Sequence, residues 1–148
     1  METKGVLLNL REKHGLTQDE MAGRLFVTRQ AVSRWETGET TPNTETLKLI
    51  SREFSISINT LLGSPQSLIC QCCGMPLTDE DISRETDGFF NEEYCKWCYT
   101  DGEMVYKSLD ELMAFLVPHL SGLHHKKEDD IRRMLETQLP YLNLWKKE

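Results

Sequence analysis

The sequence predicts a mainly α protein in two parts: a compact five-helix domain, then a small cysteine-bearing module with a short β-hairpin and C-terminal helices. Three observations predict this. The first 63 residues are short apolar-periodic segments separated by capping residues and glycines. The stretch "GSPQS" at 63–67 then breaks the helical pattern. Beyond it, all five cysteines of the 148-residue chain fall between positions 70 and 98. The expected organisation is a domain over 1–63, a linker over 64–69 and a second module over 70–148.

The elements follow from local chemistry. "VLLNLREKHG" runs as a helix into Gly15. In "TQDEMAGRL", Thr17 and Glu20 form a capping box, each side chain satisfying an orphan amide of the first turn. Met21, Ala22 and Leu25 give that helix an apolar face. "FVTRQAVSRWETG" has Thr28 as N-cap, Ala31, Val32 and Trp35 at helical spacing, and Gly38 as its stop. Pro42-Asn43 opens "TETLKLISREF", with Leu47, Ile50 and Phe54 inward, and "SINTLL" forms a last short helix. Any small helical bundle satisfies this pattern, a dimerisation module included.

The order of the elements narrows it. A capped helix, a turn of about three residues and a helix starting Thr28-Arg29-Gln30 follow one another. The stretch "LREKHGLTQDEMAGRLFVTRQAVSRWETGETTPNTETLKLI", extending to Leu62, resembles the helix-turn-helix domain of the lambda-type phage repressors, the Xre family. The resemblance implies a lambda repressor-like fold that binds double-stranded DNA. The residues fit that expectation. Arg29, Gln30, Ser33 and Arg34 offer polar groups on the first turns of a recognition helix. Arg can bond a guanine edge with two donors, and Gln can bond adenine likewise. Gln18 and the amides at the start of the preceding helix suit a phosphate. The expected DNA-contacting set is Gln18, Thr28, Arg29, Gln30, Ser33 and Arg34. Without the motif, Arg29 and Arg34 would read as a solvated helix face. Arg11 and Glu36 match a family pair joining the first and third helices, so they are assigned to stability. The loop "ETGETTPN" departs from relatives in which this loop is basic, which implies modest monomer affinity, shallow salt dependence and a homodimer on DNA.

In the second part, Cys70-x-x-Cys73 and Cys95-x-x-Cys98 are two identical hooks. Four thiolates suit a closed tetrahedral Zn2+ site, which is structural rather than catalytic. "ETDGFFNEEY" between them carries a turn signal, Asp87-Gly88, beside strand-forming aromatics. Cys73 is favoured over Cys72 as the ligand, because one intervening residue is too tight for a knuckle and Gly74 follows Cys73. Cys72 is then a spare thiol, either a small buried hydrophobe or a reactive group near the metal. Structural disulfides fit neither an odd cysteine count nor a reducing compartment. His124 and His125 lie in a polar stretch and are expected to be solvated.

The C-terminal part is expected to be helical. Ser108 and Glu111 suggest a second capping box opening "LDELMAFLVPHL", with Pro118 interrupting near its end. Ile131, Met134, Leu135, Leu139, Leu142 and Trp145 repeat at helical spacing through a kink or break at Pro140. That stripe packs on its own module or forms an exposed partner face. Residues 70–147, through "CQCCGMPL", "DGFFNEEYCKWCYTDGE", "SLDELMAFLVPHL" and "LPYLNLWKK", resemble a bacterial zinc ribbon domain that occurs alone and behind helix-turn-helix domains. That resemblance implies a fold and a metal but no substrate.

Charge separates the two parts. Residues 1–63 hold eight Lys/Arg and eight Asp/Glu, whereas the remainder holds nine against sixteen and carries the whole net charge of −7. An acidic second half does not lie along a phosphate backbone, so the first half is expected to bind DNA. No long apolar segment or leader pattern is seen, and a cytoplasmic protein is expected. No convergent acid, base and nucleophile set points to an enzyme. The expectation is a transcriptional regulator. The alternatives are a protein-interaction module of antitoxin or anti-repressor type, and a zinc- or redox-responsive switch.

Overall fold

The computed structural model describes residues 2–63 and 66–146. Ser64 and Pro65 of the expected linker, and Lys147 of the C-terminal resemblance, lie outside them. The chain divides into two compact units, one of residues 1–67 with 87–90 and the other of 68–86 with 91–148.

In the first unit, α1 (Thr3–Lys13), α2 (Gln18–Leu25), α3 (Arg29–Thr37), α4 (Thr44–Phe54) and α5 (Ile58–Leu61) follow the five expected segments. Their starts are set by side chains. Thr17 accepts from the Glu20 amide at 3.1 Å, and the Glu20 carboxylate accepts from the Thr17 amide at 3.1 Å. Thr28, Asn43 and Ser57 each accept from an amide three residues on. Such caps contribute about 1 kcal/mol each. The helices bury Leu7, Leu10, Met21, Ala22, Leu25, Val32, Trp35, Ile50, Phe54 and Leu61 around one core. Each large apolar side chain buried there contributes about 1.5–3 kcal/mol. Phe26 closes α2 with φ +56°, a left-handed conformation that a bulky side chain adopts only at a cost. Its ring is 88% exposed, so burial does not repay that cost.

The second unit is built around the thiols. Strands β1 (Ile82–Arg84) and β2 (Phe90–Cys95) pair, and β3 (Tyr99–Thr100) pairs antiparallel with β4 (Glu103–Met104). The register sets Tyr99 opposite Met104 and Thr100 opposite Glu103. Asp101 and Gly102 between them both have positive φ, +53° and +79°, the backbone of a tight two-residue hairpin. Helix α6 (Leu109–His124), helix α7 (Glu128–Gln138) and a 3₁₀ turn (Leu139–Tyr141) complete the unit. Its core joins Cys70, Cys72, Cys95 and Cys98 to Leu112, Met113, Leu116, Val117, Ile131, Leu135 and Leu139.

Three expectations are corrected here. Pro118 does not interrupt its helix: α6 runs on to His124 with the proline inside. Pro118 and Ala114, whose carbonyl loses its helical partner, both lie on the exposed side, where water can take the freed bond. The box at Ser108 is only half made. Ser108 accepts from the Glu111 amide at 3.1 Å, but the Glu111 carboxylate accepts from the amide of Lys107. The apolar stripe of the C-terminal segment is not an exposed partner face. Ile131, Leu135 and Leu139 are buried, and Leu142 and Trp145 pack half-buried against the cysteine core. Of that stripe Met134 alone is exposed, at 37%.

Candidate nucleic-acid interface and metal centre

Thr28, Arg29, Gln30, Ser33 and Arg34 lie at the N-cap and first two turns of α3, while Gln18 opens α2. Thr28 is committed to capping α3 through the Ala31 amide at 3.1 Å. Val32 and Trp35 anchor the inward face of α3, which leaves Arg29, Gln30 and Arg34 exposed and Ser33 half-buried. Arg34 lies 4.0 Å from Glu39, with both side chains more than half exposed, so the contact is too weak to hold the guanidinium from another acceptor.

A polar network fixes α3 against α1 and α2. Glu36 is almost enclosed, with 6% of its side chain exposed. It accepts from Arg11 Nε and, at 2.7 Å, from Gln18 Nε2. Arg11 also donates to the carbonyl of Leu16 at 2.9 Å. Gln18 is therefore placed at the start of α2 as expected, but with its amide turned to Glu36. An amide nitrogen carries two hydrogens, so one donor remains beyond that bond. The same turn carries Asp19 and Glu20, whose charges oppose a phosphate there. The Glu20 carboxyl is held below the usual carboxylate range, first by the Thr17 backbone amide and then by its hydroxyl.

The sulfurs of Cys70, Cys73, Cys95 and Cys98 lie within 4.8 Å of one another. Tetrahedral zinc with bonds of about 2.3 Å requires sulfurs roughly 3.8 Å apart. Cys73 Sγ and Cys95 Sγ are already 3.9 Å apart, so the site closes on such an ion with small adjustments. The first hook is shaped by its backbone. Gly74 sits at φ +79°, and its amide donates to the Cys70 carbonyl at 2.9 Å. The amides of Cys72 and Cys95 point at Cys70 Sγ from 3.4 and 3.3 Å, a placement that favours a thiolate. Mutual hydrogen bonding shifts the clustered thiols in opposite directions. Hydrogen bonds from Cys73, Cys95 and Cys98 push Cys70 far below the ordinary thiol range. Cys98 is pushed far up, chiefly by its bond to Cys70. A divalent cation removes this competition by taking all four as thiolates.

Cys72 lies outside the tetrad. It is wholly buried, and its carbonyl accepts from Trp145 Nε1 at 2.8 Å. Gln71 makes a second tie that sequence reasoning missed. Its side-chain oxygen accepts from the Asn143 amide at 3.0 Å, and its carbonyl accepts from the Leu144 amide at 3.2 Å. These bonds fasten the C-terminal segment to the first hook across about 70 residues. His124 and His125 are exposed and are not among the clustered ligand atoms.

The first unit thus has a helix-turn-helix arrangement with a polar outward face on α3, and the second a four-cysteine cluster of metal-binding geometry. The chain belongs to the zinc ribbon family described as "Putative zinc ribbon domain", which matches residues 69–146, slightly more than half its length. The family described as "Helix-turn-helix" matches residues 7–61. Among characterised relatives, the HTH-type transcriptional activator BcrR of Enterococcus faecalis is 44% identical over 66 residues, covering 45% of this chain and 32% of that protein. Antitoxin PezA of Streptococcus pneumoniae serotype 4 is 33% identical over 60 residues, covering 40% of this chain and 38% of its own. The chain thus spans about a third of the length of each of these relatives. A transcriptional regulator from Listeria innocua has a crystal structure similar over 96% of this chain and 95% of its own, with 21% identity and a TM-score of 0.42. No helix among the described residues is long and apolar enough to cross a membrane.

Proposed function

We propose that this chain is a sequence-specific transcriptional regulator that binds double-stranded DNA as a homodimer on a two-fold operator. The single observation that carries the reading is the start of α3. Its inward residues are locked in the core while Arg29, Gln30 and Arg34 are exposed at the turns that a major groove admits. Arg29 and Arg34 read base edges, Gln30 and Ser33 add shorter polar contacts, and Thr28 and Gln18 position the unit on the backbone. The Glu36 network holds α3 at a fixed angle, so the reading side chains are presented without reorganisation.

Cys70, Cys73, Cys95 and Cys98 hold one Zn2+ in this reading, and Cys72 is a buried, non-ligating thiol. Zinc bound there supplies a cross-link between two hooks that are otherwise far apart in sequence. The protein's part is to aim amides at Cys70 Sγ and to seal the site with Trp145 and the α6–α7 core. The cluster has no fourth position open to water, which supports a scaffold rather than a catalyst.

The likeness to an antitoxin keeps a second reading, in which the helical unit engages a protein partner. A gel shift on the promoter of the chain's own gene, with and without chelator, separates the two. A specific shift supports the regulator. Its absence, with the metal-loaded protein intact, supports the protein-partner reading.

A further inference from the structure

The outward face of α6 has no use inside its own unit. Leu112, Met113, Leu116 and Val117 fill one side of that helix and enter the core. The opposite side is apolar too. Phe115 is 49% exposed, and Ala114, Pro118, His119 and Gly122 are exposed beside it. The Phe115 ring stacks on His119 at 5.2 Å and meets Tyr106 at 6.0 Å, forming a fixed aromatic ridge. Pro118 and Gly122 are the two poorest residue types for a helix interior. Packing within the chain does not demand the glycine, since a Cβ at Gly122 would meet nothing within 4 Å. A ridge beside a gap on one exposed face is what a close helix–helix contact uses.

We infer that this face pairs with the same face of a second copy of this chain, α6 running antiparallel to α6 about a two-fold axis near Pro118 and His119. The inference gives the proposed homodimer its surface and rests on that reading. Charge selects the occupant. Seating Phe115 over the partner copy's glycine groove at Gly122 fixes the register, because a two-fold contact is self-complementary. Glu111, one turn before Phe115, then faces Lys126, which lies just past the end of the opposing helix. The Glu111 carboxylate of each copy thus meets the Lys126 ammonium of the other, twice per dimer. A parallel pairing would set like charges together at both ends.

The test uses the full zinc-loaded chain in sedimentation equilibrium, without DNA, so that its outcome is independent of operator binding. The wild type is expected to be a dimer. Phe115→Glu should raise the dimer dissociation constant at least tenfold with zinc content and helicity unchanged. Gly122→Ala should raise the melting temperature of the monomer's helical signal yet weaken the dimer. Lys126→Glu should weaken the dimer, and adding Glu111→Lys should restore it. A dimer untouched by Phe115→Glu overturns the inference. So does a monomeric wild type, or a Lys126→Glu defect that Glu111→Lys leaves uncorrected. Specific operator binding by such a monomer would leave the regulator reading standing while removing this surface.

Discussion

Replacing Arg11 by alanine should unfold the helix-turn-helix unit well before it touches the proposed DNA affinity. Arg11 and Glu36 are an ion pair of which only 17% and 6% of the side chains remain exposed. Without the guanidinium, Glu36 keeps the bond from Gln18 at 2.7 Å but loses its counter-charge. Breaking such a pair typically costs about 3–5 kcal/mol, because an uncompensated charge stays enclosed. Loss of the bond to the Leu16 carbonyl adds roughly 1 kcal/mol. For a domain of this size each kcal/mol shifts the melting temperature by about 4–8 °C, so a fall of at least ~15 °C is expected. The double variant Arg11→Met with Glu36→Leu removes both charges and should recover most of that loss. Circular dichroism melts of the zinc-loaded chain measure the stability. Gel shifts at a temperature where the variant is folded measure affinity. A loss below about 1 kcal/mol, or a lost gel shift at unchanged stability, would refute the assignment of this pair to the fold.

Other outcomes follow from the same geometry. Arg29→Ala and Arg34→Ala should each weaken specific binding by about 1–3 kcal/mol with the dichroism spectrum unchanged, and unaltered affinity in both would remove α3 from the interface. Metal analysis should find one zinc per chain, lost on Ser substitution at Cys70, Cys73, Cys95 or Cys98 and retained in Cys72→Ser. Chelation should unfold the second unit while residues 1–63 stay helical, since zinc contributes on the order of 10–16 kcal/mol to small domains of this kind, and a chelated chain with intact near-ultraviolet dichroism from Trp97 and Trp145 would contradict this. The depressed carboxyl of Glu20 stabilises the fold at pH above its unfolded value of about 4.3, and that contribution is lost as pH falls through the folded value. The stability gap between wild type and Glu20→Gln should therefore close in acid, and a gap that widens there would show that the capping box is not its source.

What was legible depended on whether the signal was local. The caps at Thr17, Thr28 and Asn43 are single residues acting on amides one turn away, so the starts of α2, α3 and α4 could be read directly. The hooks were legible because metal geometry forces a fixed spacing. The Asp101-Gly102 turn has the same Asp-Gly signal as Asp87-Gly88, but its strands are two residues each, too short to show an alternating pattern. The stripe through Ile131, Leu135 and Leu139 was visible in sequence, yet periodicity reports that a face is covered and not by what. The ties from Gln71 and Trp145 had no signal at all, since each joins positions far apart in the chain. Pro118 misled because a helix breaker is judged without knowing that its freed carbonyl faces water.

The distribution of charge explains why pairing matters to the proposed regulator. The loop after α3, residues 38–43, offers no cation, and Glu39 within it sits near Arg34. The acidic first turn of α2 further lowers the attraction for phosphate. With few phosphates neutralised, the sequence-independent part of binding is small and its salt slope shallow. Discrimination then rests on a handful of base-edge bonds, each contributing about 1–3 kcal/mol, which is too little for one unit to hold a site against a genome of competitors. Joining two units makes the second contact intramolecular, and can raise overall affinity by about 10²–10⁴ without any new bond to DNA. If the pairing surface belongs to the zinc-bearing unit, that factor is present only while the four thiols hold their ion. Loss of metal would then release the operator through separation of the two copies, with Arg29 and Arg34 unchanged on each.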